Sequence, residues 1–134
     1  MSLLQQGLVL TEATALGTIL LVEDEQAIRA VACRILRRRG YTVLEAVDGG
    51  HALSVAEAHT GTIELLLTDL VLPGIGGAEV ASRIGDARPT MQVIYMSGYG
   101  EEDLGTHGVH GPAFFLGKPF RPDELIDKVR NALA

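Results

Sequence analysis

Five polar residues follow directly on short apolar runs, where a buried strand would hand them to a loop. Glu23 and Asp24 follow Thr18-Ile19-Leu20-Leu21-Val22, and Asp69 follows Leu65-Leu66-Leu67-Thr68 and leads into Leu70-Val71-Leu72-Pro73-Gly74. Ser97 follows Met91 to Met96, and Lys118 follows Phe114-Phe115-Leu116-Gly117. Three carboxyls crowded together repel by kcal/mol, which a divalent cation relieves. All-oxygen donors that leave positions for water suit Mg²⁺, with Mn²⁺ as a possible substitute. A carboxylate such as Asp69 can attack phosphorus. Mg²⁺, Lys118 and Ser97 would then each hold one oxygen of the transferring phosphoryl group, over which the charge is spread. Singly, each residue has a plainer role: Asp69 and Ser97 as turn formers, Glu23-Asp24 as a helix cap, Lys118 as an ion-pair partner. The chemical reading rests on all five meeting at one rim.

That meeting requires particular elements. The strands expected are Thr18 to Val22, Tyr41 to Ala46, Ile63 to Thr68, Met91 to Met96 and Pro112 to Leu116. Between the first two, Ile28, Val31, Ala32, Ile35 and Leu36 recur at helical spacing, and Gly40 is the natural stop. Asp48-Gly49-Gly50 caps a short helix to His59, with Ala52, Leu53 and Ala56 inward. Ala78 to Ile84 reads as a third helix, with Val80, Ala81 and Ile84 inward, ended by Arg88-Pro89. Gly100, Gly105, Gly108 and Gly111 each cost about 1 kcal/mol relative to Ala in a helix, so one or two turns at most are expected there. A last helix opens at Pro122-Asp123-Glu124 and buries Leu125, Ile126, Val129 and Leu133. Five β-α units without a hairpin turn predict a parallel sheet covered on both faces. The flavodoxin-like, doubly wound α/β form of that sheet has strand order 2-1-3-4-5 and its ligand site where strands one and three part. Those strands end in Glu23-Asp24 and Asp69.

With 134 residues and a net charge of −6, the chain reads as one domain at 18–134 behind an N-terminal extension or linker at 1–17. Its acidity argues against binding nucleic acid or an anionic membrane. Arg37-Arg38-Arg39 falls at a helix end, where cations offset the dipole. The single cysteine, Cys33, lies in an apolar helix stripe and reads as packing. The four histidines do not stand at metal-ligand spacing. No apolar run spans a membrane and no secretory leader is evident, so a cytoplasmic location is expected.

The pieces Leu20-Leu21-Val22-Glu23-Asp24-Glu25, Thr68-Asp69-Leu70-Val71-Leu72-Pro73-Gly74, Met96-Ser97-Gly98-Tyr99 and Lys118-Pro119-Phe120 together resemble the receiver domain of bacterial two-component signalling. They occur in that family's order and cover the chain from Thr18 onward. The resemblance implies that Asp69 accepts a phosphoryl group from phosphohistidine on a histidine kinase or histidine phosphotransfer domain. It implies that Asp24, Asp69 and the carbonyl of Val71 bind Mg²⁺, with Glu23 acting through water. It also implies a switch in which Ser97 moves toward the phosphoryl group and the aromatic at Phe115, often Tyr in the family, turns inward. Lys118-Pro119 is often cis there. The domain would catalyse its own phosphorylation and dephosphorylation. Val71 and Tyr99, two positions beyond Asp69 and Ser97, would shade the phosphoaspartate from water and set its lifetime. The glycine-rich stretch Gly98 to Gly111 is similar to receivers joined to hybrid histidine kinases, which implies a kinase core upstream. Three alternatives compete. A flavin or nucleotide binder would want a hydroxyl- and glycine-rich loop where Glu23-Asp24-Glu25 stands. A Mg²⁺-dependent phosphoaspartate hydrolase would carry its Asp-x-Asp pattern after strand one. A receiver-like interaction module that is never phosphorylated would not need all five residues.

Overall fold

The structure, a computed structural model, describes residues 16–134. Five strands form one parallel sheet in the order β2-β1-β3-β4-β5, as expected: β1 (Thr18–Val22), β2 (Thr42–Ala46), β3 (Leu65–Asp69), β4 (Gln92–Ser97) and β5 (Phe114–Gly117). Five helices connect and follow them: α1 (Gln26–Arg38), α2 (Gly49–Ala58), α3 (Gly77–Ala87), α4 (Asp103–Thr106) and α5 (Pro122–Leu133). No helix among the described residues is long and apolar enough to cross a membrane. The reading of residues 1–15 as part of a linker lies outside the described residues.

Side chains alternate across the sheet and build two cores. Ile19, Leu21, Leu65, Leu67, Ile94 and Met96 pack under α1 and α5. Leu20, Val22, Leu66 and Tyr95 pack under α2, α3 and α4. All five residues of β3 are buried, which is why its sequence shows no polar alternation. Each buried Leu or Ile contributes about 1.5–3 kcal/mol.

The turns follow local chemistry. Gly40, at φ +103°, ends α1, with Gly40 N–H donating to Arg37 O and Tyr41 N–H to Leu36 O. Asp48 Oδ1 accepts from His51 N–H at 2.8 Å and caps α2. Glu124 Oε1 accepts from Arg121 N–H at 2.7 Å at the start of α5.

Several details differ from expectation. Val31 is 48% exposed, because α1 buries Ala32, Cys33 and Leu36 and turns Val31 outward beside Ala27. In α5 Ala132 is buried in place of Leu133, which packs only partly. Leu53 is likewise only partly buried. β5 starts at Phe114, not at Pro112, because Gly111 adopts φ +85° and proline has no N–H for a ladder. Cys33 is buried as expected, and burial pushes its thiol up to about 11, which suits packing and not reactivity.

Candidate functional site

Strand register assembles the rim. Val22 pairs with Thr68, Asp69 with Met96, and Ser97 with Gly117, so the ends of β1, β3, β4 and β5 lie side by side. Backbone bonds carry the alignment past the strands: Leu70 N–H donates to Met96 O and Lys118 N–H to Ser97 O, each at 2.8 Å. The Lys118–Pro119 peptide is cis.

Glu23 is wholly buried. Its Oε2 accepts from Glu25 N–H at 3.0 Å and its Oε1 from Lys118 Nζ at 3.1 Å. Its carbonyl accepts from Arg29 Nη1 at 2.7 Å. Asp69 is 3% exposed, with Oδ1 2.7 Å from Lys118 Nζ. That contact is an ion pair without hydrogen-bond alignment, so Asp69 Oδ1 is a buried oxygen lacking a hydrogen-bond partner. Asp24 is exposed at the mouth. One carboxylate oxygen from each of Glu23, Asp24 and Asp69 lies within 4.8 Å of the others. Lys118 pairs with Glu23 and Asp69 only, so one ammonium serves a cluster of three acids, and Asp69 Oδ1 has the ion pair but no aligned hydrogen bond. Both features fit a hard divalent cation with oxygen ligands, which would satisfy the orphaned oxygen and offset the remaining charge.

The electrostatics reflect that crowding. Burial, then the neighbouring Glu23 carboxyl, raise the Asp69 carboxyl to about 8 against the opposing pull of Lys118. Burial lowers the Lys118 ammonium, but contact with Asp69 and Glu23 outweighs burial and holds it above its ordinary value. Lys118 therefore stays charged at neutral pH.

Ser97 is buried beside this group, and its Oγ accepts from Tyr99 N–H at 3.0 Å, which leaves the hydroxyl proton to donate. Val71 is 51% exposed in the loop after β3, and Tyr99 is 72% exposed. Phe115 packs partly into the α2–α4 core and Phe114 into the α1–α5 core, on opposite faces as alternation requires.

Sequence reasoning passed over three supports. Arg29 ties α1 to the Glu23 carbonyl and also meets Glu45 at 3.4 Å. Thr68 is buried and its hydroxyl donates to the Asp69 carbonyl at 3.0 Å. A Cβ at Gly77 would sit 2.1 Å from that same carbonyl oxygen, so only glycine lets α3 start against Asp69. The run Gly74-Ile75-Gly76-Gly77 was a visible signal for the last of these.

Comparison with known proteins follows the same lines. The family model of the response regulator receiver domain matches residues 19–130. The chain is 35% identical over 124 residues to sensor kinase CckA of Brucella abortus, covering 92% of this chain but 13% of that protein. It is 31% identical over 116 residues to sporulation initiation phosphotransferase F of Bacillus subtilis, covering 86% of this chain and 92% of that one. The crystal structure of the receiver domain from hybrid histidine kinase CckA superposes with a TM-score of 0.75 at 42% identity, covering 88% of this chain and all of the other.

Proposed function

The chain belongs to the response regulator receiver domain family of two-component signalling, and from that premise we propose that Asp69 accepts a phosphoryl group from the phosphohistidine of a histidine kinase or phosphotransfer protein. The observation that carries this reading is the cluster of Glu23, Asp24 and Asp69 oxygens within 4.8 Å of one another, with Lys118 Nζ 2.7 Å from Asp69 Oδ1. Asp69 attacks phosphorus, the P–N bond to the donor imidazole breaks, and an acyl phosphate forms on Asp69. Lys118 Nζ, 2.7 Å from Asp69 Oδ1, would hold one phosphoryl oxygen, and the Ser97 hydroxyl would donate to another. Asp24, Asp69 and the Val71 carbonyl would hold Mg²⁺, with Glu23 acting through water. When bound, the cation offsets the charge that gathers on the phosphoryl oxygens.

The switch would run through Ser97 and Phe115. Phe115 has no hydroxyl to anchor either rotamer, so the two states lie close in free energy. Val71 offers no group to position an attacking water, and the Tyr99 ring can cover the phosphoryl group from the solvent side. A phosphoaspartate lasting minutes or longer is expected, and each tenfold in that lifetime is about 1.4 kcal/mol of barrier.

A docking patch supports the partner. Ala27, Ile28, Val31, Pro119 and Phe120 surround an apolar depression of about 270 Å³ beside Lys118. A histidine-bearing protein docked on that depression would meet the rim beside Lys118, whereas a small phosphodonor would not need it. The likeness to CckA favours a hybrid kinase as the parent, with residues 18–134 as its receiver and 1–17 as linker.

The test uses both donors. With a small phosphodonor, uptake should require Mg²⁺ and stop with EDTA, and Asp24→Ala should lose the Mg²⁺-induced rise in melting temperature, since a ligand stabilises only the state that binds it. Val31→Glu should leave that uptake unchanged and slow transfer from a phosphohistidine protein. Uptake in EDTA, or an undiminished Mg²⁺ shift in Asp24→Ala, contradicts the site.

A further inference from the structure

The acidic turn Glu23-Asp24-Glu25 carries two of the three rim acids, and its residues are held unequally. Glu23 is fixed from three sides: its N–H donates to Ala46 O at 3.1 Å, its Oε2 accepts from Glu25 N–H and its Oε1 from Lys118 Nζ. Asp24, where the chain bends toward α1, is exposed and enters no ion pair among the described residues. Glu25, at the start of α1, makes no side-chain capping bond. The direction of the Asp24 carboxylate therefore depends on the peptide that joins it to Glu23.

One side chain holds that peptide. Arg29 stands one turn into α1, and helical side chains lean toward the N-terminus. Its guanidinium thereby reaches back, and Nη1 donates to the Glu23 carbonyl at 2.7 Å. The Arg29 backbone N–H donates to Glu25 O at 3.0 Å, so one residue grips the turn on both sides of Asp24. The guanidinium is itself set in place from β2. Its Nε lies 3.4 Å from Glu45 Oε1, and Glu45, opposite Leu21 in the ladder, also accepts from Arg37 Nη2 at 3.3 Å. The Arg29 side chain is 14% exposed. A planar fork that serves a carbonyl and a carboxylate at once is a geometry that Arg offers and Lys does not.

We propose that Arg29 is a positioning residue of the rim: by holding the Glu23–Asp24 peptide it aims the Asp24 carboxylate at the point where the Glu23, Asp24 and Asp69 oxygens meet, and so sets the affinity for Mg²⁺. The proposal rests on the reading of that rim as a Mg²⁺ site. Two other roles make different predictions. As a mere tie between α1 and the sheet, Arg29 would change stability and leave Mg²⁺ affinity alone. As a mere charge it would repel the cation, so its removal would tighten binding. Positioning has the opposite sign: removal weakens binding although a repelling charge is gone.

The test titrates Mg²⁺ calorimetrically into the metal-free full chain. Arg29→Ala should raise the Mg²⁺ dissociation constant about tenfold, the usual size of an outer-shell effect. Arg29→Lys keeps the charge but not the fork and should raise it about threefold; this variant carries the test if Arg29→Ala does not fold. Leu36→Ala destabilises the same helix without touching the turn and should leave the constant within about twofold of wild type, since distant sites act independently. Unchanged or tighter binding in either Arg29 variant overturns the proposal, as does an equal loss in Leu36→Ala. A wild-type chain that takes up no Mg²⁺ overturns the reading of the rim itself, which is a different failure. Hydrogen exchange on the metal-free protein gives a check without the cation. The Glu25 amide should exchange faster in Arg29→Ala, measured against the β3 amides that report global opening. An unchanged ratio counts against positioning.

Discussion

The two faces of the sheet are built to different standards. On one, α1 and α5, of 13 and 12 residues, close over a continuous aliphatic core. On the other, α2 and α3 are nearly as long, but α4 has four residues and leaves a groove beside α3. Between them the strands deliver Glu23, Asp69 and Lys118, which hold one another, while Ser97 leads into the glycine-rich stretch. The closed face packs beneath the charged groups; the open face carries Phe115 and the short α4, where the proposed switch would move. Interiors packed at crystal density are bistable and not smoothly deformable, so motion belongs where contacts are few.

Core truncation should separate the faces most. Leu36→Ala empties a site with no exposure and should cost about 3 kcal/mol. Leu104→Ala on α4 should cost about 1 kcal/mol, because a four-residue helix can settle into the space. Chemical denaturation of both variants measures this, and equal losses would erase the distinction.

The rim should yield a smaller effect of opposite sign. In metal-free buffer Asp69→Asn should stabilise the domain at neutral pH by about 1–2 kcal/mol, since it removes a carboxyl that must take up a proton to be buried beside Glu23, while Lys118 keeps Glu23. The carboxyl rises from 3.8 when unfolded to about 8 when folded, so the native state binds more protons across that interval. Wild-type stability should therefore fall as pH rises from about 4 to 8, and the advantage of Asp69→Asn should grow over the same range. Melts in EDTA across that range check the sign.

Helix propensity on the open face comes next. Gly105 lies in α4 without a positive φ, and a Cβ added there would meet nothing within 4 Å. Gly105→Ala should therefore gain about 0.5–1 kcal/mol. A loss would mean that α4 is held by something other than its own backbone. The smallest effect is dynamic: relaxation-dispersion NMR should show exchange at Ser97 and Phe115 before phosphorylation and none at Leu36. Exchange at Phe114 in place of Phe115 would move the switch to the closed face.

Much of this was legible because burial writes itself into composition. The run Leu65-Leu66-Leu67-Thr68-Asp69 is apolar until its last two residues because both faces of β3 are covered. The rim residues stood out for the same reason, as polar groups directly behind strands too apolar to be anything else. The glycine spacing from Gly100 to Gly111 foretold the short α4. What stayed hidden depends on distant partners. Val31 satisfies the helical period yet faces solvent, because the period says which residues are apolar and not which of them the sheet reaches. Arg88 read as the end of a unit, but its guanidinium donates to the carbonyls of Ala56, His59 and Gly61 and ties α3 to the end of α2. Thr68 looked like one more strand residue until its hydroxyl was seen on the Asp69 carbonyl.

The central claim is that the rim exists to place one nucleophile, Asp69. Incubation with Mg²⁺ and a small phosphodonor, followed by mass-spectrometric mapping of the adduct, tests it directly. The expected result is one acid-labile phosphoryl group on the peptide containing Asp69, and none on Asp69→Asn. An Asp69→Asn chain that still gains one such group, on Asp24 or elsewhere, would contradict the claim.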